Sequence, residues 1–172
     1  ALQIPTDRHY RTESVGIYAL DGRLKSRLSV PDHKIVTDIQ FVGNERIVVG
    51  YQEQRPPTPV IQYRMYDPRS GKAIFDFEPA HAVFTDPKGR GLATANLKRL
   101  VNGDPPVAPK RTTINLHDPN DGKTLRRIGL EHAIDRLAFS PGGERLLVPL
   151  DHRVVEYVAE TGERSFESDE SD

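Results

Sequence analysis

A seven-residue turn recurs along this chain and limits its fold more than any other feature. It reads Tyr66-Asp67-Pro68-Arg69-Ser70-Gly71-Lys72, then His117-Asp118-Pro119-Asn120-Asp121-Gly122-Lys123, then Tyr157-Val158-Ala159-Glu160-Thr161-Gly162-Glu163. A shorter form is Ala19-Leu20-Asp21-Gly22-Arg23. The closing glycines stand at 22, 71, 122 and 162, at intervals of 49, 51 and 40 residues. The residue types fit a tight turn: glycine takes the positive φ, Pro68 and Pro119 preset φ, and Asp67 and Asp118 can bond turn amides. Repetition on this scale implies stacked units that bury their apolar faces only against one another.

A second turn falls between the first ones, in Phe139-Ser140-Pro141-Gly142-Gly143-Glu144-Arg145, Phe84-Thr85-Asp86-Pro87-Lys88-Gly89-Arg90 and Phe41-Val42-Gly43-Asn44-Glu45-Arg46. The segments between turns are short and apolar or alternating. In Ile61-Gln62-Tyr63-Arg64-Met65-Tyr66 every second residue is apolar, as a half-buried strand requires. Strands are expected at 15–20, 24–30, 35–42, 46–51, 60–66, 73–77, 81–85, 91–96, 112–117, 125–130, 134–140, 145–150, 153–158 and 164–167. The 13 glycines and 14 prolines interrupt helical periodicity throughout. Two alternating turns with four strands per repeat are the pattern of an all-β propeller built from four-stranded antiparallel blades. Phe41, Phe84 and Phe139 are expected to close the inner strands and to bury between neighbouring sheets.

On these residues the chain resembles the WD-repeat and related β-propeller families over about 14–168. Their blades carry an aromatic-Asp-x-x-Thr-Gly-Lys turn between the third and fourth strands, and Phe-Ser-Pro-Asp-Gly between the first and second. The unit from His132 to Glu163 matches best, with Asp151 at the family's aspartate between the second and third strands. Tyr66, His117 and Tyr157 stand where the family has tryptophan, which this chain lacks. With strands named a to d from the axis outward, a partial propeller spans 1–168. It comprises a half blade at 14–30 and complete blades at 35–78, 81–130 and 134–168, followed by an acidic tail at 169–172. Residues 2–5 can add one short strand. About three and a half blades fall short of the roughly 4–8 that close a ring. The expectation is an incomplete ring completed by another chain or another fragment of the same precursor. Absence of both a and b from the first blade favours a different segment over a second copy.

Composition removes several function classes. There is no cysteine, so disulfides, thiolate metal sites and cysteine nucleophiles are excluded. A formal charge of −1 offers no general attraction to nucleic acid or acidic lipid. No apolar run approaches a membrane span, and a soluble chain in the cytoplasm or exported to a periplasm is expected.

Two b–c segments are long: 52–59, with Arg55 among prolines, and 97–111, with Lys98, Arg99, Asn102, Asp104, Lys110 and Arg111. They belong to neighbouring blades and would share one face with the d–a loops. Proline lowers the entropy cost of holding them in a binding shape, and these residues are the candidate partner-binding set. Lys98, Arg99, Lys110 and Arg111 invite a phosphate reading, but few aromatics interleave and a solvated loop is the preferred one. His33, His81 and His132 each precede an a strand, so a ring of imidazoles binding a metal is a weak candidate. Ordering of the d–a turns by hydrogen bonds is favoured for them, as the resemblance implies. Asp38 and Asp135 match in successive a strands, where bonds to loop amides or pairing with arginine is favoured over catalysis.

No nucleophile elbow, phosphate-cradling loop or His-Glu-x-x-His occurs. The reading is a non-catalytic binding or assembly module without cofactor, presenting its b–c loops to a protein or peptide. The alternative is part of a propeller enzyme, an exported bacterial oxidoreductase or hydrolase, whose active site lies in or is shared with the missing blades.

Overall fold

The structure, a computed structural model, describes residues 2–3, 14–31, 34–53, 61–86, 88–96, 111–132, 134, 136–150 and 153–168. Among them the only regular elements are strands, in one three-stranded and three four-stranded antiparallel sheets. Sheet 1 contains β1 (Leu2–Gln3), β2 (Ser14–Tyr18) and β3 (Leu24–Ser29). Sheet 2 contains β4 (Lys34–Val42), β5 (Arg46–Glu53), β6 (Gln62–Tyr66) and β7 (Ala73–Asp76). Sheet 3 contains β8 (Ala82–Thr85), β9 (Leu92–Ala95), β10 (Thr112–His117) and β11 (Thr124–Leu130). Sheet 4 contains β12 (Ala138–Phe139), β13 (Arg145–Leu150), β14 (Arg153–Val158) and β15 (Arg164–Glu167). Strands in each sheet lie in chain order, as a meander demands. Leu2 pairs with Ile17 and Gln3 with Gly16, so sheet 1 lacks strand a alone among the described residues, not both a and b.

The apolar faces of these sheets meet in three separate cores. Val15, Ile17 and Leu28 of sheet 1 pack on Ile47, Val49 and Tyr51 of sheet 2. Val48 and Met65 turn the other way, onto Val83 and Leu92 of sheet 3. Ala93, Ile114 and Leu116 of sheet 3 pack on Leu146, Val148 and Val155 of sheet 4. Strand β5 is therefore apolar on both faces, reading Ile47-Val48-Val49, with all three side chains inaccessible to water. The outer strands β3, β7, β11 and β15 are mostly exposed, as the rim of such a stack should be.

The repeated turn has one construction throughout. Gly71, Gly122 and Gly162 have φ of 71, 79 and 72°. Their amides donate to Asp67, Asp118 and Val158 carbonyls at 2.9, 2.8 and 2.7 Å. Asp67 Oδ1 accepts the Arg69 amide at 2.9 Å, and Asp118 Oδ1 accepts the Asn120 amide at 2.7 Å. A β-bulge immediately precedes each turn, at Tyr18, Tyr66, His117 and Tyr157, and adds local twist. The turns also dock on the preceding sheet, where a side chain on Gly71 would strike the Arg27 carbonyl. The a–b turns stack closely too: a Cβ on Gly89 would lie 2.6 Å from the Gly43 nitrogen.

The phenylalanine expectation needs correction. The Asp86 amide bonds to Gly91 O, and Ser140 N to Arg145 O, each at 2.9 Å. Asp86 therefore matches Ser140, and Thr85 rather than Phe84 is the counterpart of Phe139. This one-residue offset puts Phe84 on the opposite face of its strand, against the core shared with sheet 4. Phe139 packs against that same core from sheet 4 and lies over Gly91 of sheet 3. Phe41 is not buried but 49% exposed. It pairs with Ile47 on the face of β4 turned toward sheet 1, where no described a strand covers it.

His117 shows how a polar residue survives at the aromatic position. Its Nδ1–H donates to Gly122 O at 3.0 Å, its Nε2 accepts from the Thr94 hydroxyl at 2.9 Å, and Phe77 meets its ring edge-on at 4.8 Å. Both nitrogens are used by the neutral tautomer, and burial pushes its pKa down to about 4.

Two predictions follow from these positions. Gly22→Ala, with open space around it, should cost about 1 kcal/mol for its left-handed backbone. Gly71→Ala should cost at least twice as much in chemical denaturation, because its Cβ has nowhere to go. For His117, the unfolded imidazole protonates near 6.5 and the folded one near 4. Stability present above the unfolded value is lost as pH falls through this window, by about 3 kcal/mol. His117→Gln should flatten that profile in denaturant titrations between these pH values.

Candidate functional site

Two concavities mark the ends of the inner strands. The larger, an open cleft of about 550 Å³, lies among the inner strands, between the middle of β4 and the strands β8 and β12. Thr37, Asp38, Gln40, Tyr63, His81 and Thr85 supply its polar groups, with Ile61, Phe84 and Leu137 among its apolar walls.

The strand that carries Asp38 is irregular for a reason visible in its pairing. Val36 pairs with Tyr51 and Asp38 with Gly50, so Thr37 is left as an extra residue. This bulge lets Val36 and Ile39, an odd number of positions apart, both pack on the core beside sheet 1. Bulges of this kind re-aim side chains, and here Asp38 is turned into the cleft. Gly50 opposite it makes room: a Cβ there would lie 3.2 Å from Asp38 Cβ and 2.8 Å from the Tyr63 ring.

Gln40 ties the site together. Its Nε2 donates to Asp38 Oδ2 at 3.2 Å and to the Val83 carbonyl at 2.9 Å, and its Oε1 faces the Thr85 hydroxyl at 3.4 Å. One amide thereby bridges sheets 2 and 3 at the axis. Among the described residues no cation pairs with Asp38; Lys34, on the same strand, is bonded to Gln62 Oε1. Loss of hydration holds the Asp38 carboxyl above the ordinary range, only partly offset by Gln40 and the Ile39 amide. The Tyr63 phenol is also pushed up, first by burial and then by the Asp38 charge.

The smaller groove, about 250 Å³, lies between sheets 3 and 4 at the opposite end, lined by Leu92, Leu116, Leu125, Phe139 and Val158. It exists because the repeat is broken. Between sheets 2 and 3, Phe75 covers Gly122, whereas Arg126 stands at the matching place beside Gly162. An exposed Arg90–Glu144 pair at 3.2 Å sits on its rim, and no polar groups converge inside as they do at the axis.

The candidate residues from sequence fare unevenly. Arg55, Lys98, Arg99, Asn102, Asp104, Lys110, His33, Asp135 and Asp151 lie outside the described residues. Arg111 is exposed and donates to Glu131 Oε2 at 3.1 Å, which neutralises one member of the basic cluster. His81 lines the axial cleft, while His132 is exposed on the surface. No group of three or more His, Asp or Glu among the described residues is gathered as a metal site. Of the two roles expected for Asp38, pairing with arginine is not seen among the described residues, while its carboxyl does accept from a backbone amide, that of Ile39. Gln40, Tyr63 and Thr85 were missed. The signal for Gln40 was present, since Asp38 and Gln40 alternate with Ile39 and Phe41 along β4.

No protein-family model and no curated protein matches this sequence. Its shape is similar to solved structures of low identity. A eukaryotic initiation factor matches with TM-score 0.57 and 15% identity, over 81% of this chain and 34% of that one. The β-propeller domain of the Trilobed protease from Pyrococcus furiosus, which has an open velcro topology, matches with TM-score 0.58 and 12% identity, over 80% and 43%. An uncharacterised protein from Listeria monocytogenes matches with TM-score 0.53 and 8% identity, over 78% and 40%. The chain thus spans 34–43% of the length of these structures. At such identities the likeness establishes the fold, a segment of β-propeller.

Asp38 supplies the prediction here. Its folded pKa lies above the unfolded value, so the native state favours the protonated form. Its contribution to stability is fullest in acid and declines as pH rises through the folded value. Asp38→Asn should therefore melt at a higher temperature than the parent at pH 7, with the gap closing in acid. A lower Tm for the variant at pH 7 would show that the charge is structural.

Proposed function

We propose that this propeller segment is a non-catalytic binding and assembly module. A strand from outside residues 1–172 completes its first blade, and its b–c/d–a end meets a protein or peptide partner. The observation that carries the assembly half is Phe41. Its counterpart Phe139 is covered by the preceding sheet at Gly91, while Phe41 is 49% exposed beside a sheet that, among the described residues, has strands b, c and d. An a strand paired to β1 would cover Phe41 and Ile39 together. Exposed apolar side chains next to a free strand edge favour strand addition.

The partner face is supported by where the long segments are tethered. β5 ends at Glu53 and the chain returns at Ile61, a wall of the axial cleft. Ala95, the last residue of β9, pairs with Ala82, which also lines the cleft. The described residues that flank 54–60 and 97–110 thus adjoin the cleft, which supports reading Arg55, Lys98, Arg99, Asn102, Asp104 and Lys110 as part of a partner surface there.

Light scattering of the particle purified from its source, with intact-mass analysis of each chain, tests the assembly half. A second chain, or a longer polypeptide containing these residues, is expected. A stable 19.3 kDa monomer that unfolds cooperatively would overturn it. Phe41→Ser should weaken the assembly while changing the free chain's Tm little, whereas Phe139→Ala should cost about 2 kcal/mol.

A further inference from the structure

We infer that Asp38 anchors an arginine or lysine side chain of a peptide lying across the axial cleft. The inference rests on the reading that the b–c/d–a end is the partner face. Four observations on the site converge on it. The carboxylate is half-buried and no described residue neutralises it. A half-buried charge without a partner disfavours its own native state, and an incoming cation relieves that cost through a charge-assisted hydrogen bond.

The backbone is deformed so as to present it. The bulge at Thr37 and the bare Gly50 opposite let the carboxylate face the cleft rather than a neighbouring strand. Gln40 holds Oδ2 and is itself fixed by the Val83 carbonyl. The carboxylate is thereby oriented in advance, with acceptor capacity that Gln40 and the Ile39 amide do not exhaust. The walls suit the remainder of such a side chain. Ile61, Phe84 and Leu137 line the cleft beside the acid, and arginine and lysine carry apolar stems that pack on such surfaces while the head reaches a polar group.

The test is selection of a displayed random-peptide library on the whole chain, followed by fluorescence polarisation with the selected peptides. Three proteins are compared: the parent, Asp38→Asn, and Thr37→Trp, which fills the cleft from an exposed, unpaired position. Peptides carrying arginine or lysine are expected, binding Asp38→Asn at least tenfold more weakly. Replacing that cation by citrulline or norleucine should cost the parent the same factor and cost Asp38→Asn nothing further. Peptides that lose binding to Thr37→Trp but bind Asp38→Asn as well as the parent would overturn the anchor and leave the partner face standing. Peptides indifferent to both substitutions, or a library with no binder at all, would count against both.

Discussion

The two middle sheets of this chain, 2 and 3, are apolar on both faces, and everything else depends on that. A four-stranded sheet buried on one side only would leave Ile47 and Val49, or Val48 and Met65, in water. Burial of each such side chain is worth roughly 1.5–3 kcal/mol, so no blade is stable apart from its neighbours. The three cores between sheets are consequently the unit of stability. Among the described residues each core joins one sheet to the next, as in other repeat architectures. The bulged turns at Tyr66, His117 and Tyr157 keep their outer hairpins twisted enough for Gly71, Gly122 and Gly162 to reach the sheet before each.

That logic explains which parts of the fold were legible in the residues. Glycine at 71, 122 and 162, with aspartate at 67 and 118, specified a turn by chemistry, and the turns stand where the repeat put them. Alternation in β6 specified a face. The phenylalanines misled because Phe84 stands one residue farther from its turn than Phe139 does, and because Phe41 lies beside a sheet with no described a strand. A shift of one position reverses a strand's faces. Hydrogen-bond register decides such matters, and a residue pattern carries it only weakly. The candidate site divides in the same way. Asp38 and His81 stood out as polar residues at repeated places, while Gln40, Tyr63 and Thr85 gained their roles from two sheets meeting at the axis. The odd spacing of Val36 and Ile39 was a trace of the bulge at Thr37 that becomes readable only once their common core is known.

The axis and the cores follow opposite rules. In the cores, His117 is satisfied by Thr94 and Gly122, and the Tyr66 hydroxyl by Tyr51 and the Ser29 carbonyl. At the axis, a carboxylate is left half-buried with an amide as its only side-chain donor among the described residues. Consistency across local levels is what makes a sequence foldable, and departures from it concentrate at places selected for something other than stability. On that ground the axial cleft, rather than the better-packed apolar groove between sheets 3 and 4, is where function is sought.

The contact between Gly43 and Gly89 has a geometric meaning beyond packing. These two turns touch backbone to backbone at the narrow inner edge, while Phe75, Phe77 and His117 hold the same pair of sheets apart farther out. The two separations together define a wedge, and the wedge angle fixes how many such units go round a full circle. A methyl group at the apex would open the inner edge without altering the outer one. Curvature of the array, and with it the number of blades that can close, is thus written into two residues that have no side chain at all.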